Sequence, residues 1–252
     1  MKLRFLIASL TSCSGCISTL ISSDIFPEFL ERTNISYFPF ISDENKITEC
    51  DIALIEGCIS MDSQIELLKE IRNNVKKVYA LGTCAAFGGI LSLSKKKKAG
   101  AISDIVQIDG IIPGCPPPLK LIGTCLIRLI ENKEIELSEK NLCSSCPLRG
   151  NNNILIEKQI YKLNPSGDEI LSLDENPNCF LNDGILCLGP ITREGCDHIC
   201  IEHGIPCEGC LGPVSKDYTS NLINFLSIVN LSKDLRKYKG IFYRFSKPKF
   251  RW

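Results

Sequence analysis

Two cysteines three positions apart, Cys13 and Cys16 in "LTSCSGCISTL", follow an apolar run, and the same Cys-x-x-Cys spacing returns at Cys143 and Cys146 and at Cys207 and Cys210. Such a pair can close a disulfide, hold a soft metal, exchange electrons as a dithiol, or end a lipoprotein leader. In all there are 15 cysteines among 252 residues, far more than a core uses as small hydrophobes. A chain of this length buries a sizeable core in one large domain, or in one ordinary domain plus a small one, so size does not force cross-links upon it.

The basic start and "FLIASL" imitate a leader ending at Cys13. That apolar stretch is at the short limit for such a region, and the same residues make a good first strand. No segment approaches the roughly 20 apolar residues of a membrane helix. The chain therefore reads as soluble and cytoplasmic, with no membrane partner. Thiols stay reduced in that compartment, which moves the cysteines from disulfides toward metal. The balance of 29 basic against 29 acidic residues gives no general field for nucleic acid or an anionic membrane. The Lys95 to Lys98 run reads as a solvated loop without a role.

The elements that must position these thiols come next. Apolar runs at Leu3 to Ser9, Ile35 to Phe40, Ile52 to Ile55, Val78 to Leu81 and Ile108 to Ile112 are short, β-rich and closed by Gly, Pro, Ser or Cys, as strands are. Ser63 to Asn74 and Leu119 to Ile130 carry apolar residues at helical spacing. Strand alternating with helix predicts an α/β fold, a mostly parallel sheet covered on both faces. Cys13 and Cys16, Cys58, Cys84 and Cys115 each fall just past the carboxyl end of a strand. In a parallel sheet those ends share one edge, the edge at which open α/β sheets bind ligands.

After about residue 135 the periodicity fades. "NNN" and "NPSGDE" mark loops, and eight cysteines fall at 143, 146, 179, 187, 196, 200, 207 and 210, with Gly and Pro beside them. This region reads as small, loop-rich and without a conventional apolar core, organised by something inorganic. A helical stretch near Ser220 to Leu231 and a basic, aromatic tail, "YRFSKPKFRW", follow; such a tail either packs on a partner, the expectation here, or covers its own domain.

Zinc is the main competitor to iron–sulfur for paired Cys-x-x-Cys motifs. Against it, a structural zinc belongs in the small loop-rich part rather than also at the edge of a large sheet. Four thiols at that edge and eight beyond suffice for three four-thiolate clusters. Cys50 and Cys125 read as inert core thiols, whereas Cys58, at the functional edge, could replace or supplement a ligand. A thioredoxin-type pair at Cys13 and Cys16 would leave the other cysteines unexplained. The only histidines, His198 and His203, lie in the cysteine-rich part, which gives a Cys–His dyad little support. His198 reads as a hydrogen-bonding neighbour rather than a ligand. "FGGI" after Cys84 is too short to cradle a phosphate. Several clusters without a substrate base imply a conduit for electrons whose source and sink sit on other chains.

"TSCSGC", "IEGC", "LGTCAAFGG" and "IPGCPPP", in that order, resemble the small subunit of [NiFe] hydrogenases. The tail "C-x7-CLGPITREGC-x3-C-x6-CEGC-LGP" is similar to that of the soluble branch, which comprises archaeal sulfhydrogenases, F420-reducing hydrogenases and the hydrogenase coupled to heterodisulfide reductase. The likeness runs to about residue 213. It implies a flavodoxin-like doubly wound parallel sheet over 1–135, carrying a proximal cluster on Cys13, Cys16, Cys84 and Cys115. It implies a cysteine-rich, loop-rich iron–sulfur domain over 136–252, whose cysteines from Cys143 to Cys210 hold medial and distal clusters, each of the three being [4Fe–4S]. Spacing alone does not divide those eight. Glu56 matches the acidic residue of the family's "EG" motif, where it would position the proximal cluster or relay protons, or else simply order its loop.

By the same implication the chain is a non-catalytic subunit, paired in a hetero-oligomer with a [NiFe] large subunit. Its electrons would pass to a flavin-containing F420- or NAD(P)-reducing subunit or to a heterodisulfide-reductase-type subunit. The "TSCSGC" turn would offer helix N-terminal amides to an anionic cluster. Two positions depart from the pattern: Ile17 stands where many relatives have a polar residue, and Cys58 where many have a small one. Cys58 and Ser60 are accordingly the alternative proximal donors. The rival readings are a hydrogenase-like iron–sulfur adaptor in a complex without nickel and a structural zinc module.

Overall fold

Five short segments pair side by side, and the central three are too hydrophobic to leave either face in water. The structure, a computed structural model, describes residues 2–43, 46–94, 99–149, 159–163, 178–214, 218–238 and 240–246. The Lys95 to Lys98 run, the "NNN" and "NPSGDE" loops and the end of the tail lie outside the described residues. The chain forms two compact units, the first over residues 1–136 and the second beginning at Leu137.

In the first unit, strands β1 (Leu3–Ser9), β2 (Thr33–Tyr37), β3 (Cys50–Glu56), β4 (Val75–Leu81) and β5 (Gly110–Ile112) are all parallel, in the order β2-β1-β3-β4-β5. This is the flavodoxin-like order, with its switch point between β1 and β3. Side chains alternate between faces. Phe5, Ile7, Ile52, Leu54, Tyr79 and Leu81 bury one face with Leu20, Phe29, Ile122 and Leu126, while Leu6, Ala8, Ala53, Ile55, Val78 and Ala80 bury the other with Leu68 and Ile71. Each large side chain buried this way contributes about 1.5–3 kcal/mol before entropy is counted. That double burial is why the strands read as unbroken apolar runs rather than alternating ones.

Helices α3 (Asp62–Asn74) and α5 (Leu119–Ile130) match the expected segments, and α1 (Gly15–Ile21), α2 (Phe26–Arg32) and α4 (Gly82–Phe87) are additional. The second strand ends at Tyr37, before Phe40, because Pro39 has no N–H to continue a ladder. The fifth strand is shorter than expected at its start, where the Asp109 carboxylate accepts the Val78 N–H at 2.7 Å.

The second unit corrects the expectation that it lacks an apolar core. Leu142, Phe180, Leu181, Leu186, Leu188, Ile191, Leu222, Phe225, Leu226, Phe242 and Tyr243 form one buried cluster, and Cys187 and Cys207 lie inside it. Apolar residues interleaved with Gly and Pro do not repeat at any regular period, yet they still converge. Short bridges, Asn141 to Arg193 and Thr192 to Pro213, tie its loops together. The Arg193 guanidinium donates to the carbonyls of Ser138, Pro213 and Val214. A helix at Tyr218–Ile228 ends before Asn230, whose left-handed φ of 54° stops it. Tyr243 and Arg244, which begin the tail, pack on their own unit: the Tyr243 hydroxyl donates to the Ile191 carbonyl, and Arg244 pairs with Glu208. Among the described residues no helix is long and apolar enough to cross a membrane.

Candidate iron–sulfur centres

Strands β1, β3, β4 and β5 end on one rim, and the segments leaving them carry Cys13 and Cys16, Cys58, Cys84 and Cys115, with Cys16 and Cys84 already in the first turns of α1 and α4. The loops are laced together by their backbones. Cys58 N–H donates to the Thr11 carbonyl at 3.0 Å and Thr11 N–H to that of Cys58 at 3.2 Å, while Thr83 N–H donates to the Gly114 carbonyl at 2.9 Å and Gly114 N–H to the Thr83 hydroxyl at 3.0 Å. Gly82 (φ 82°) allows the closest approach: a Cβ there would lie 2.2 Å from the Cys16 sulfur. Only the missing side chain lets that sulfur sit over the turn into α4.

The four thiols expected at the proximal position face one another. Burial first, then the charges of Glu56, Cys84, Cys115 and Cys13, hold the Cys16 thiol far above its ordinary range. Burial and the neighbouring Cys115, Cys58, Cys13 and Glu56 push Cys84 up to about 12, and burial with Cys13 raises Cys115. Thiolates crowded this way stabilise each other only around a polycationic centre, which is the chemistry an iron–sulfur core supplies. The donor set therefore fits the group. Cys16 is buried, Cys84 half-buried, and Cys13 and Cys115 exposed.

Glu56, 1 % exposed, is the organiser of this rim. Its Oε1 accepts the N–H groups of Cys16 at 2.9 Å and Ile17 at 3.3 Å, and its Oε2 the hydroxyls of Ser9 at 2.9 Å and Ser12 at 3.1 Å. This corrects the expected helix-end anion site. The first amides of α1 are taken up by a side chain brought from β3, because α1 has no capping side chain of its own. Ser9 and Ser12 were not legible as site residues, although serines at a strand's carboxyl end facing an "EG" turn are the available signal.

Cys58 is fully buried beside Cys84, its thiol donating to the Thr11 carbonyl at 3.6 Å. Ser60 is held by Thr11, hydroxyl to hydroxyl at 2.6 Å. Cys50, 2.8 Å from the Ser36 hydroxyl, and Cys125, which burial pushes up to about 12, are core thiols.

In the second unit the eight cysteines separate. Cys143 is raised by burial and then by Cys187, Cys146 and Cys179, and Cys187, pushed up to about 12 by burial, also feels Cys179 and Cys146. A Cβ on Gly189 would lie 3.0 Å from the Cys143 sulfur and 3.6 Å from that of Cys187. Cys196 and Cys200 form one neighbouring pair, and Cys207 and Cys210 another. The two sets meet where Cys207 N–H donates to the Cys187 sulfur at 3.3 Å and Leu188 N–H to the Cys207 carbonyl at 2.8 Å. His198 Nε2 lies 2.9 Å from the Leu142 carbonyl, a backbone contact in keeping with a hydrogen-bonding neighbour. Among the described residues no disulfide forms, and no three His, Cys, Asp or Glu side chains are gathered tightly enough for a single metal ion.

Known proteins resemble this chain along most of its length. Residues 13–129 match the family described as NADH ubiquinone oxidoreductase, 20 Kd subunit. A vhu subunit of the F420-non-reducing hydrogenase of Methanocaldococcus jannaschii is 34 % identical over 86 % of this chain and 85 % of its own length, and its counterpart in Methanococcus voltae 30 % over 98 % and 96 %. Sulfhydrogenase 2 subunit delta of Pyrococcus furiosus is 26 % identical over 81 % and 84 %. Among solved structures, the actinobacterial-type NiFe-hydrogenase of Ralstonia eutropha H16 shares the fold with a TM-score of 0.65 at 16 % identity, covering 93 % of this chain and 86 % of its own. The Ni-Fe-Se hydrogenase of Desulfomicrobium baculatum does so at 0.61 and 19 %, covering 86 % and 97 %. With a parallel sheet that gathers cysteines at its carboxyl rim, and relatives matching nearly end to end, this chain belongs to the family of small hydrogenase subunits that includes the archaeal F420-non-reducing vhu relatives.

Proposed function

We propose that this chain is the electron-transferring small subunit of a cytoplasmic [NiFe] hydrogenase and holds three [4Fe–4S] clusters. Cys13, Cys16, Cys84 and Cys115 hold the proximal one, Cys143, Cys146, Cys179 and Cys187 a second, and Cys196, Cys200, Cys207 and Cys210 a third. The observation that carries the reading is the convergence of the first four thiols from three loops onto one rim of the sheet. When bound, the clusters supply one-electron transfer between the nickel–iron site of a large partner subunit and an acceptor chain. Glu56 keeps the Cys16 backbone in place for ligation, and burial of Cys16, Cys187 and Cys207 keeps water from the inner sulfurs. Cys58 stands behind Cys84 as a spare thiol, whereas Ser60 is already engaged by Thr11.

The outlet is a flavin or heterodisulfide-reductase-type subunit rather than an F420-reducing one. The relatives matching nearly the whole chain are named F420-non-reducing, while the coenzyme F420 hydrogenase gamma subunit of Methanosarcina barkeri matches 50 % of it. The test is anaerobic purification of the native complex. About twelve iron atoms per small subunit, nickel in the partner and hydrogen-dependent dye reduction are expected. A colourless, iron-free chain would defeat the reading, and an iron-loaded complex without nickel would leave an adaptor. Exchange of Cys84→Ser should lower the iron content, and an unchanged content would remove Cys84 from the ligand set.

A further inference from the structure

Glu-Gly-Cys occurs three times in the chain, at 56–58, 194–196 and 208–210. Glu56 reaches the Cys13–Cys16 turn and Glu208 pairs with Arg244, which leaves Glu194, a half-buried residue that ligation does not use. Its Oε1 accepts the Ser138 hydroxyl at 2.5 Å, and its Oε2 accepts the Ser145 hydroxyl at 3.3 Å. The Ser144 hydroxyl lies 3.0 Å from the same Oε2 but 2.7 Å from the Asn141 carbonyl, which has first claim on its one proton, so Ser138 and Ser145 do the anchoring. The backbone is held too: Glu194 N–H donates to the Lys140 carbonyl at 3.1 Å, and Lys140 N–H to the Ser138 hydroxyl at 3.1 Å.

Ser144 and Ser145 are the two residues between Cys143 and Cys146. By the lengths of the intervening bonds, a carboxylate beside their hydroxyls lies within about 10 Å of the Cα atoms of both cysteines. The side-chain partners of Glu194 are all hydroxyls, unlike the N–H groups that Glu56 takes from Cys16 and Ile17. A hydroxyl turns readily from donor to acceptor, so an amide would satisfy this geometry as well as a carboxylate. What the carboxylate adds at position 194 is its charge. A cation also reaches the turn, since Arg149 donates to the Cys143 carbonyl at 3.3 Å, but it is exposed and screened by water.

We propose that Glu194 holds down the reduction potential of the cluster that Cys143 and Cys146 ligate. The proposal rests on the cluster reading above. Taking up an electron makes a thiolate-ligated cluster more negative, and an anion pinned beside the turn that carries two of its ligands disfavours that step. Loss of the charge therefore favours the reduced state and raises the midpoint.

The test uses the purified complex with Glu194→Gln, Glu194→Asp and Ser138→Ala, each assayed for iron, acid-labile sulfide and EPR-monitored redox titration. Glu194→Gln should keep its iron and raise one midpoint, with at most a smaller rise in a second, because Cys196 lies two residues on. The expected size is about a threefold rise in the reduced-to-oxidised ratio at fixed potential, about 28 mV at about 59 mV per tenfold for one electron. Glu194→Asp keeps the charge and should hold the wild-type value, while Ser138→Ala, which releases one carboxylate oxygen, should raise the same couple by less. Full iron with every couple unmoved in Glu194→Gln would overturn the proposal, as would an equal rise in all three couples or a shift in Glu194→Asp as large as that in Glu194→Gln. Should Glu194→Gln lose its cluster, Ser138→Ala decides: a raised couple supports the assignment and an unmoved one ends it. A wild-type chain without iron would be failure of the parent reading instead.

Discussion

The two units hold their thiols in opposite ways. In the first, a complete α/β core stands beneath the rim, and the cysteines sit on loops fastened by backbone pairs and by the Glu56 carboxylate. In the second, Cys187 and Cys207 are themselves members of the apolar core, packed with Leu186, Leu188 and Ile191. On the proposed assignment the first unit would position its cluster beside a core complete without it, while the second would build ligands of its clusters into the core itself. Metal binding should therefore be nearly separable from folding in the one and coupled to it in the other.

Iron removal is the strongest way to break that contrast. Chelation of the full chain should abolish hydrogen-exchange protection across Leu186–Leu188 and Ile201–Leu211 while amides of β1, β3 and β4 stay protected; simultaneous loss in both units would erase the distinction. A core truncation comes next. Leu54→Ala should cost about 2–5 kcal/mol in denaturant unfolding of the first unit and leave the second unit's iron in place, whereas Leu222→Ala should cost a similar amount and release iron as well. Glu56→Gln turns an amide N–H₂ toward groups that already donate. It should cost about 1–3 kcal/mol and lower the iron content by roughly one cluster of about four atoms, without touching exchange in the second unit. The smallest effect belongs to the exposed Arg32–Glu28 pair, 2.8 Å apart on α2. Arg32→Ala should change stability by less than about 0.5 kcal/mol, which sets the scale for the others.

The same contrast explains what was legible beforehand. Strands buried on both faces announce themselves as apolar runs, so β1, β3 and β4 and the cysteines beyond them could be placed from residue types alone. Helices α1 and α4 are too short for a period to show, at 7 and 6 residues. Glu56 could be located but not its partners, because Ser9 and Ser12 reach it only once β1 and β3 lie side by side. In the second unit the apolar residues hide among Gly and Pro, and the grouping of eight cysteines depends on long-range contacts such as Cys207 N–H to the Cys187 sulfur. Nothing local in "IFYRFS" signals that Tyr243 would settle over Gly209.

Parallel strand order gives the first unit two rims with different histories open to them. On the rim away from the thiols, α2 runs straight into β2 at Arg32–Thr33 and α3 into β4 at Asn74–Val75, with no intervening loop. Lengthening those junctions would add only slowly growing closure entropy, on the order of 0.6 kcal/mol per doubling of loop length. An insertion of a few flexible residues there would be absorbed, whereas the same insertion between Ser9 and Cys13 would displace Ser12 and Cys16 from the Glu56 carboxylate and carry Cys13 with them.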